Sequence, residues 1–246
     1  ARLAPVALLA LGAMGVRYTD GPTAFWRHTG LSAFQTLPTF NGYNDYQAIR
    51  QRTRWANSWE REGIESSVSM NVEGGISLMV NGKSDGHVRS DAGTMVLAGL
   101  IGAIRHPDPK TVLVVGLGTG TTVGWLAAIP EVERVDVIEL EPAIVEVAQA
   151  CAPVNLGALE NPKVHLILGD AREVMATLPD EYDLVVSEPS NPYRMGVASL
   201  FTREFYGMVD DRLAEGGIFV QWVQAYSVDA EAIRTMYAKL LDVHPV

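Results

Sequence analysis

The chain has 246 residues, of which 48% are hydrophobic and 20% charged, enough for one large globular domain with a small appendage. Its formal net charge is −10, from 29 acidic against 19 basic residues, which argues against a nucleic-acid partner because phosphate neutralisation needs clustered Lys and Arg. Cys151 stands alone, so neither a disulfide framework nor a cysteine-based zinc site is available.

Residues 3–16 are almost wholly apolar but fall short of the roughly 20 residues that a membrane-spanning helix needs. They carry no cleavage signature of a secretory signal. Both ends read as cut, so the chain is expected to be a piece of a longer protein, with residues 1–16 the stub of a transmembrane helix. Residues 17–62, with Trp26, Trp55, Trp59 and the turn Asn41-Gly-Tyr-Asn44, show no period and are expected to be an irregular linker. Alternation begins at Glu65. The run Ser67–Val72, a Gly74-Gly75 turn and Ile76–Val80 predict a β-hairpin, closed by a second turn signal at Asn81-Gly82. A helix is expected over 91–104, completing a small unit at 63–109.

From Lys110 onward strands and helices alternate. Strands are predicted near 111–115, 134–139, 163–168, 182–187 and 217–223, with helices near 121–128, 142–150, 171–177, 200–213 and 229–241. Such βα repetition implies a parallel sheet covered on both faces, its site at the carboxyl ends of the strands. The fold class is therefore α/β, with the nucleoside-binding domain at 110–246 cut short at its end.

The strand Val112–Val115 runs into Gly116, Gly118 and Gly120, glycines that let the backbone turn tightly and approach a ligand. The next strand ends in Glu139, about 20 residues further on, where a carboxylate can accept from both hydroxyls of a ribose. An adenosine-containing cofactor is expected. The third glycine of a dinucleotide fingerprint would fall at Thr121 or Val123, so a dehydrogenase is not supported. Asp170 follows the third strand and suits an adenine amine, with the Ala171 amide on a ring nitrogen, or an N-cap, or both. After the fourth strand, Ser187-Glu-Pro-Ser-Asn-Pro-Tyr193 makes a rigid loop above the cofactor. Glu188 and Asn191 are the candidate catalytic residues there, and a buried Glu188 could take a nucleophile's proton. The five histidines show no metal-ligand spacing, and no metal is expected.

These segments, together with Ser199-Leu-Phe-Thr-Arg-Glu-Phe-Tyr206, resemble the polyamine aminopropyltransferases, or spermidine synthases. Gly21-Pro-Thr-Ala-Phe-Trp-Arg-His28 and Val80-Asn-Gly-Lys83 are more closely similar to bacterial spermidine synthase-like proteins fused to a membrane domain. The resemblance implies a small β domain before a Rossmann-like, class I methyltransferase-type sheet. It implies transfer of the aminopropyl group of decarboxylated S-adenosylmethionine to a polyamine or related amine, with Gly116, Gly118, Thr119, Gly120, Glu139, Asp170 and Ala171 on the nucleoside and Glu188 and Tyr193 on the amine. It further implies a cytoplasmic domain of a bacterial inner-membrane protein; a fused transmembrane domain and a homodimer stay open as partners.

Departures fall on the amine side. Glu188 and Asn191 occupy positions that are Asp in the family's Asp-Ser-x-Asp-Pro loop, Thr119 replaces an Asp, and the family's Tyr-His-Glu segment has no counterpart in Gly93-Thr-Met-Val-Leu97. Two alternatives remain: an S-adenosylmethionine methyltransferase, whose Asn-Pro-Pro-Tyr loop Ser190-Asn-Pro-Tyr193 resembles, and a non-catalytic domain sensing polyamine or nucleoside.

Overall fold

The computed structural model describes residues 3–18, 42–194, 196–226 and 228–244. The Gly21–His28 segment lies outside the described residues, as do Trp26 and Asn41.

Helix α1 (Leu3–Tyr18) leaves Val6, Leu8, Leu9, Leu11 and Met14 exposed. Among the described residues no helix is long and apolar enough to cross a membrane. Residues 43–62, expected to be irregular, instead form helix α2 (Tyr43–Ala56) and strand β1 (Asn57–Glu62). Neither has a clean apolar period. The helix is mostly polar, and the strand is a charged sheet edge whose one large apolar side chain, Trp59, packs against the core.

Strand β1 pairs antiparallel with β2 (Ser67–Asn71), which pairs with β3 (Ser77–Val80), which pairs with β4 (Lys83–His87). The expected hairpin is thus the centre of a four-stranded meander, which begins ahead of the boundary expected after residue 62. Asn81 and Gly82 both take positive φ, 50° and 81°, the pair of values that a two-residue hairpin turn needs to match strand twist.

Helix α3 (Ala92–Arg105) leads into the second sheet. Its strands are β5 (Thr111–Val115), β6 (Arg134–Glu139), β7 (Val164–Leu168), β8 (Tyr182–Ser187) and β9 (Leu213–Gln221), in the order β7-β6-β5-β8-β9. All neighbours are parallel. The intervening helices are α4 (Thr121–Ala127), α5 (Pro142–Ala150), α6 (Ala171–Thr177) and α7 (Arg203–Asp210), with α8 (Ala230–Val243) after β9. The chain folds as the α/β parallel sheet that the βα repetition predicts, in the methyltransferase-type arrangement that the resemblance implies.

Alternation along β5 explains the two-sided core. Val112 and Val114 pack with Val123, Leu126, Val135, Val137, Leu184 and Val186 on one face. Leu113 and Val115 pack with Ile138, Met175, Phe205 and Tyr206 on the other. Cys151 is fully buried, and burial pushes its thiol up to about 11, so it serves as an inert core residue.

Two expected boundaries shift. The helix over 200–213 shortens to α7, because Thr202 caps it by accepting from the Phe205 amide, and a 3-10 turn fills 197–201. Strand β9 starts earlier than expected because Gly216 (φ +78°) sits inside the strand rather than before it, where the register with β8 slips.

Glycines also set how closely helices approach. A Cβ on Gly124 would stand 1.7 Å from the Asn155 carbonyl oxygen, an atom held by backbone. Gly124→Ala is expected to destabilise the fold by about 3 kcal/mol. A urea midpoint unchanged from wild type would refute that packing.

Candidate active site

The sheet order reverses direction between β5 and β8, and ligands of open α/β sheets sit in the crevice beyond that point. The loops leaving these two strands meet there, with the Glu188 amide donating to the Val115 carbonyl at 3.2 Å. A cavity of about 620 Å³ opens above them, roofed by the small sheet through Leu78, Val80 and Lys83–Gly86. Such a volume suits a nucleoside-sized ligand.

The glycine loop forms the floor. Gly116 and Gly118 line the cavity with φ of 98° and 54°, and a Cβ on Gly118 would meet no atom within 4 Å. Gly120 does not line it. This residue faces the Asn155 amide, which donates to the carbonyls of Thr119 and Ala148 at 2.9 and 2.8 Å and so braces the loop from behind.

Glu139, at the end of β6, is 6% exposed and lines the cavity. One carboxylate oxygen accepts from the Leu117 amide and the other from the Glu141 amide, each at 2.9 Å. Burial raises its pKa above the ordinary carboxylate value, and these amides partly offset that. Each oxygen keeps a second lone pair for a ligand hydroxyl.

Glu141 has a different task. Its carboxylate accepts from the amides of Ile64 and Glu65 and from the Ser66 hydroxyl, fastening the small sheet over the cavity. Asp170 lines the cavity beside Ala171 and caps α6 through the Arg172 amide at 2.8 Å. The Arg172 guanidinium pairs with it at 2.6 Å and holds its carboxyl below the usual range. The two roles weighed for Asp170 are thus compatible in one residue.

Glu188 is half-buried at the cavity wall, 2.5 Å from the Thr122 hydroxyl. Burial pushes its carboxyl up to about 7, against the opposing Thr122 bond. Thr122 also lies 2.9 Å from the Met95 carbonyl, and one hydroxyl proton cannot serve both acceptors. With Glu188 protonated, the carboxyl donates to Thr122, which donates to Met95. Ionised, Glu188 accepts the threonine hydrogen bond in place of the Met95 carbonyl. The arrangement accommodates both protonation states at neutral pH.

Besides Gly120, two more expected site residues stand elsewhere. Asn191 is fully buried, lies outside the cavity lining, and neither amide atom has a partner among the described residues. Its carbonyl accepts from the Arg194 amide at 3.0 Å, closing a turn with Pro192 and Tyr193 in the middle. Tyr193 is 53% exposed and off the cavity, whereas Pro192 beside it is buried. Thr119 does line the cavity; its hydroxyl is turned to Thr121 at 2.9 Å and to the Met95 sulfur.

A charged cluster escaped the sequence reading. Lys83 pairs with Asp85 at 2.9 Å, Asp85 pairs with Arg194 at 2.5 Å, and the Ser190 hydroxyl donates to Asp85 at 2.9 Å. All four line the cavity. Their signal was the spacing of Lys83 and Asp85, two apart on a strand and so on one face.

A family model described as the spermine/spermidine synthase domain matches residues 95–246. The chain belongs to the spermine/spermidine synthase family. Within that family it is 31% identical over 143 residues to a polyamine aminopropyltransferase of Alkaliphilus oremlandii (strain OhILAs), covering 57% of this chain and 50% of that protein. A second polyamine aminopropyltransferase, from Lachnospira eligens, is 33% identical over the same shares. The chain therefore spans about half the length of the curated relatives it matches. A crystal structure of spermidine synthase in complex with the transition state analogue AdoDATO superposes with a TM-score of 0.72 at 20% identity, over 78% of this chain and 66% of that one. Spermidine synthase from Thermotoga maritima gives a TM-score of 0.67 at 20% identity, over 78% and 64%. At that identity the two structures establish the fold that this spermine/spermidine synthase domain adopts.

Proposed function

We propose that the chain transfers the aminopropyl group of decarboxylated S-adenosylmethionine to an amine, releasing methylthioadenosine. The observation that carries this reading is one cavity holding both Glu139, with lone pairs free for a ribose, and Glu188, a carboxyl that titrates near neutrality. Family membership and the naming of its relatives as polyamine aminopropyltransferases support it.

In this reading Glu139 holds the ribose, the Gly116–Gly118 backbone lies along the sugar, and Asp170 with Ala171 meets the adenine. When bound, the donor supplies a carbon made electrophilic by its sulfonium, a leaving group that needs no proton. The protein's work is then orientation and acceptance of the amine's proton, and Glu188 is the acceptor. The small sheet, clamped by Glu141, keeps water from the reacting atoms. Asn191 and Tyr193, off the cavity, shape the turn that returns Arg194 to Asp85.

We further place the unit on the cytoplasmic side of a bacterial membrane, next to a transmembrane domain, with the exposed apolar residues of α1 facing lipid. Vesicle flotation of the full chain checks this, and a chain found only in the lipid-free fractions would refute it.

Methylthioadenosine release, followed chromatographically over a panel of amines, tests the activity. Turnover with at least one amine is expected, and no release across the panel would overturn it. Asp170→Asn removes the charge that pairs with Arg172 and weakens an amine acceptor. It should raise the donor's KM about tenfold and leave kcat within about twofold. A kcat loss with unchanged KM would remove Asp170 from the nucleoside.

A further inference from the structure

The amine end of the cavity carries positive charge. Lys83, on β4, is 5% exposed, and Asp85 and Arg194 are 11% and 15% exposed at their side chains. Among the described residues, Asp85 is the one carboxylate within ion-pair distance of either cation. Two cations around one carboxylate leave a surplus positive charge in a partly desolvated place.

The donors are not used up. Lys83 donates to the Ser84 carbonyl at 3.2 Å and to Asp85, two of its three N–H groups, with the Tyr226 ring 5.6 Å away. Arg194 donates to Asp85 and to the Val80 carbonyl at 2.9 Å, two of its five. Asp85 accepts from Lys83 on one oxygen and from Arg194 and Ser190 on the other. A clasp between the small sheet and the 188–194 loop would need one cation. The second adds a desolvation cost with no carboxylate of its own to offset it. A bare polyamine would bring further positive charge against that surplus.

Resting on the proposed displacement at a sulfonium nucleoside, we infer that Lys83 and Arg194 form a carboxylate-binding subsite, filled by a carboxylate on one of the two reactants. Two sources share that chemistry. The acceptor is an amine that also carries a carboxylate, or the nucleoside keeps its methionine carboxylate and the group moved is aminocarboxypropyl in place of aminopropyl. The planar fork of Arg194 suits a carboxylate in either case.

Calorimetry on the full chain, with and without methylthioadenosine, decides it through two matched pairs. One pair sets 4-aminobutyrate against putrescine, equal in carbon number. The other sets S-adenosylmethionine against its decarboxylated form. The carboxylated member of at least one pair should bind about tenfold tighter, and that pair identifies the source. Lys83→Gln and Arg194→Gln should each erase most of the preference, and Asp85→Asn should enlarge it. Unchanged methylthioadenosine affinity in each variant certifies its fold, and a variant that fails this control is set aside for the other.

A clasp without ligand duties would lower stability and leave ligand preference alone. The inference is overturned if neither pair favours its carboxylate, or if the preference survives both cation substitutions. Failure of methylthioadenosine to bind the wild type would instead remove the proposed reaction, while the pairs titrated without it still read the subsite.

Discussion

Glu188→Gln is expected to lower the rate of methylthioadenosine release by about 10²- to 10⁴-fold, the usual contribution of a positioned general base. Nucleoside affinity should stay near the wild-type value, because the residues assigned to the sugar and base lie on other strands. A pH profile gives the sharper test. The base works ionised, and burial pushes its carboxyl up to about 7. Activity should therefore rise with pH, reach half its plateau near 7, and level off above. Thr122→Val supplies an independent check of sign. The threonine hydrogen bond lowers the Glu188 pKa, so its loss should move the inflexion to higher pH. A profile flat through neutrality, or one displaced to lower pH in the Thr122 variant, would take Glu188 out of proton transfer.

The second large effect is expected at Glu139. Replacement by Ala removes two acceptors for ligand hydroxyls, and hydrogen bonds to a charged group contribute about 1.5–3 kcal/mol each. Methylthioadenosine affinity should fall by about 10²- to 10⁴-fold on that basis. The same change orphans the amides of Leu117 and Glu141, which now donate to the carboxylate at 2.9 Å. Part of the loss would then come from loosening of the glycine loop. Glu139→Gln separates the two contributions: the amide keeps one acceptor oxygen, so affinity should fall between wild type and Ala. Titration calorimetry reads both variants, with thermal unfolding run alongside. Affinity unchanged in both would place the nucleoside elsewhere.

Burial raises both acids, and what differs is their hydrogen-bond partners. At Glu139 backbone amides, among them those of Leu117 and Glu141, act against that rise and fix the carboxyl in place. Glu188 has one shared hydroxyl and correspondingly less support for its charge, which leaves it poised to gain or lose a proton. Neighbouring positions in one cavity thus acquire separate roles from their hydrogen-bond partners.

Much of the site was legible before any coordinates. The run Val112–Val115, the glycines after it and the acid closing the next strand are local signals, because strand period, positive φ and strand-end position depend on near neighbours. So the parallel sheet, the glycine loop under the cavity and the place of Glu139 at its wall could be read directly. Strand β1 and helix α2 were not legible, since neither carries an apolar period and β1 exists only by pairing with β2.

What the tertiary structure alone decided lies between distant positions. Arg194 reaches Asp85 across 109 residues of chain, and Thr122 reaches Glu188 across 66. No spacing rule announces either contact. A turn at Asn191–Arg194 carried Asn191 and Tyr193, both expected at the site, away from the cavity and brought Arg194 in. Chain order and side-chain type determined which strand ends and loops line the cavity; burial and long-range pairing determined the partners of each acid and where the surplus cation sits, because both depend on what surrounds a charge in space.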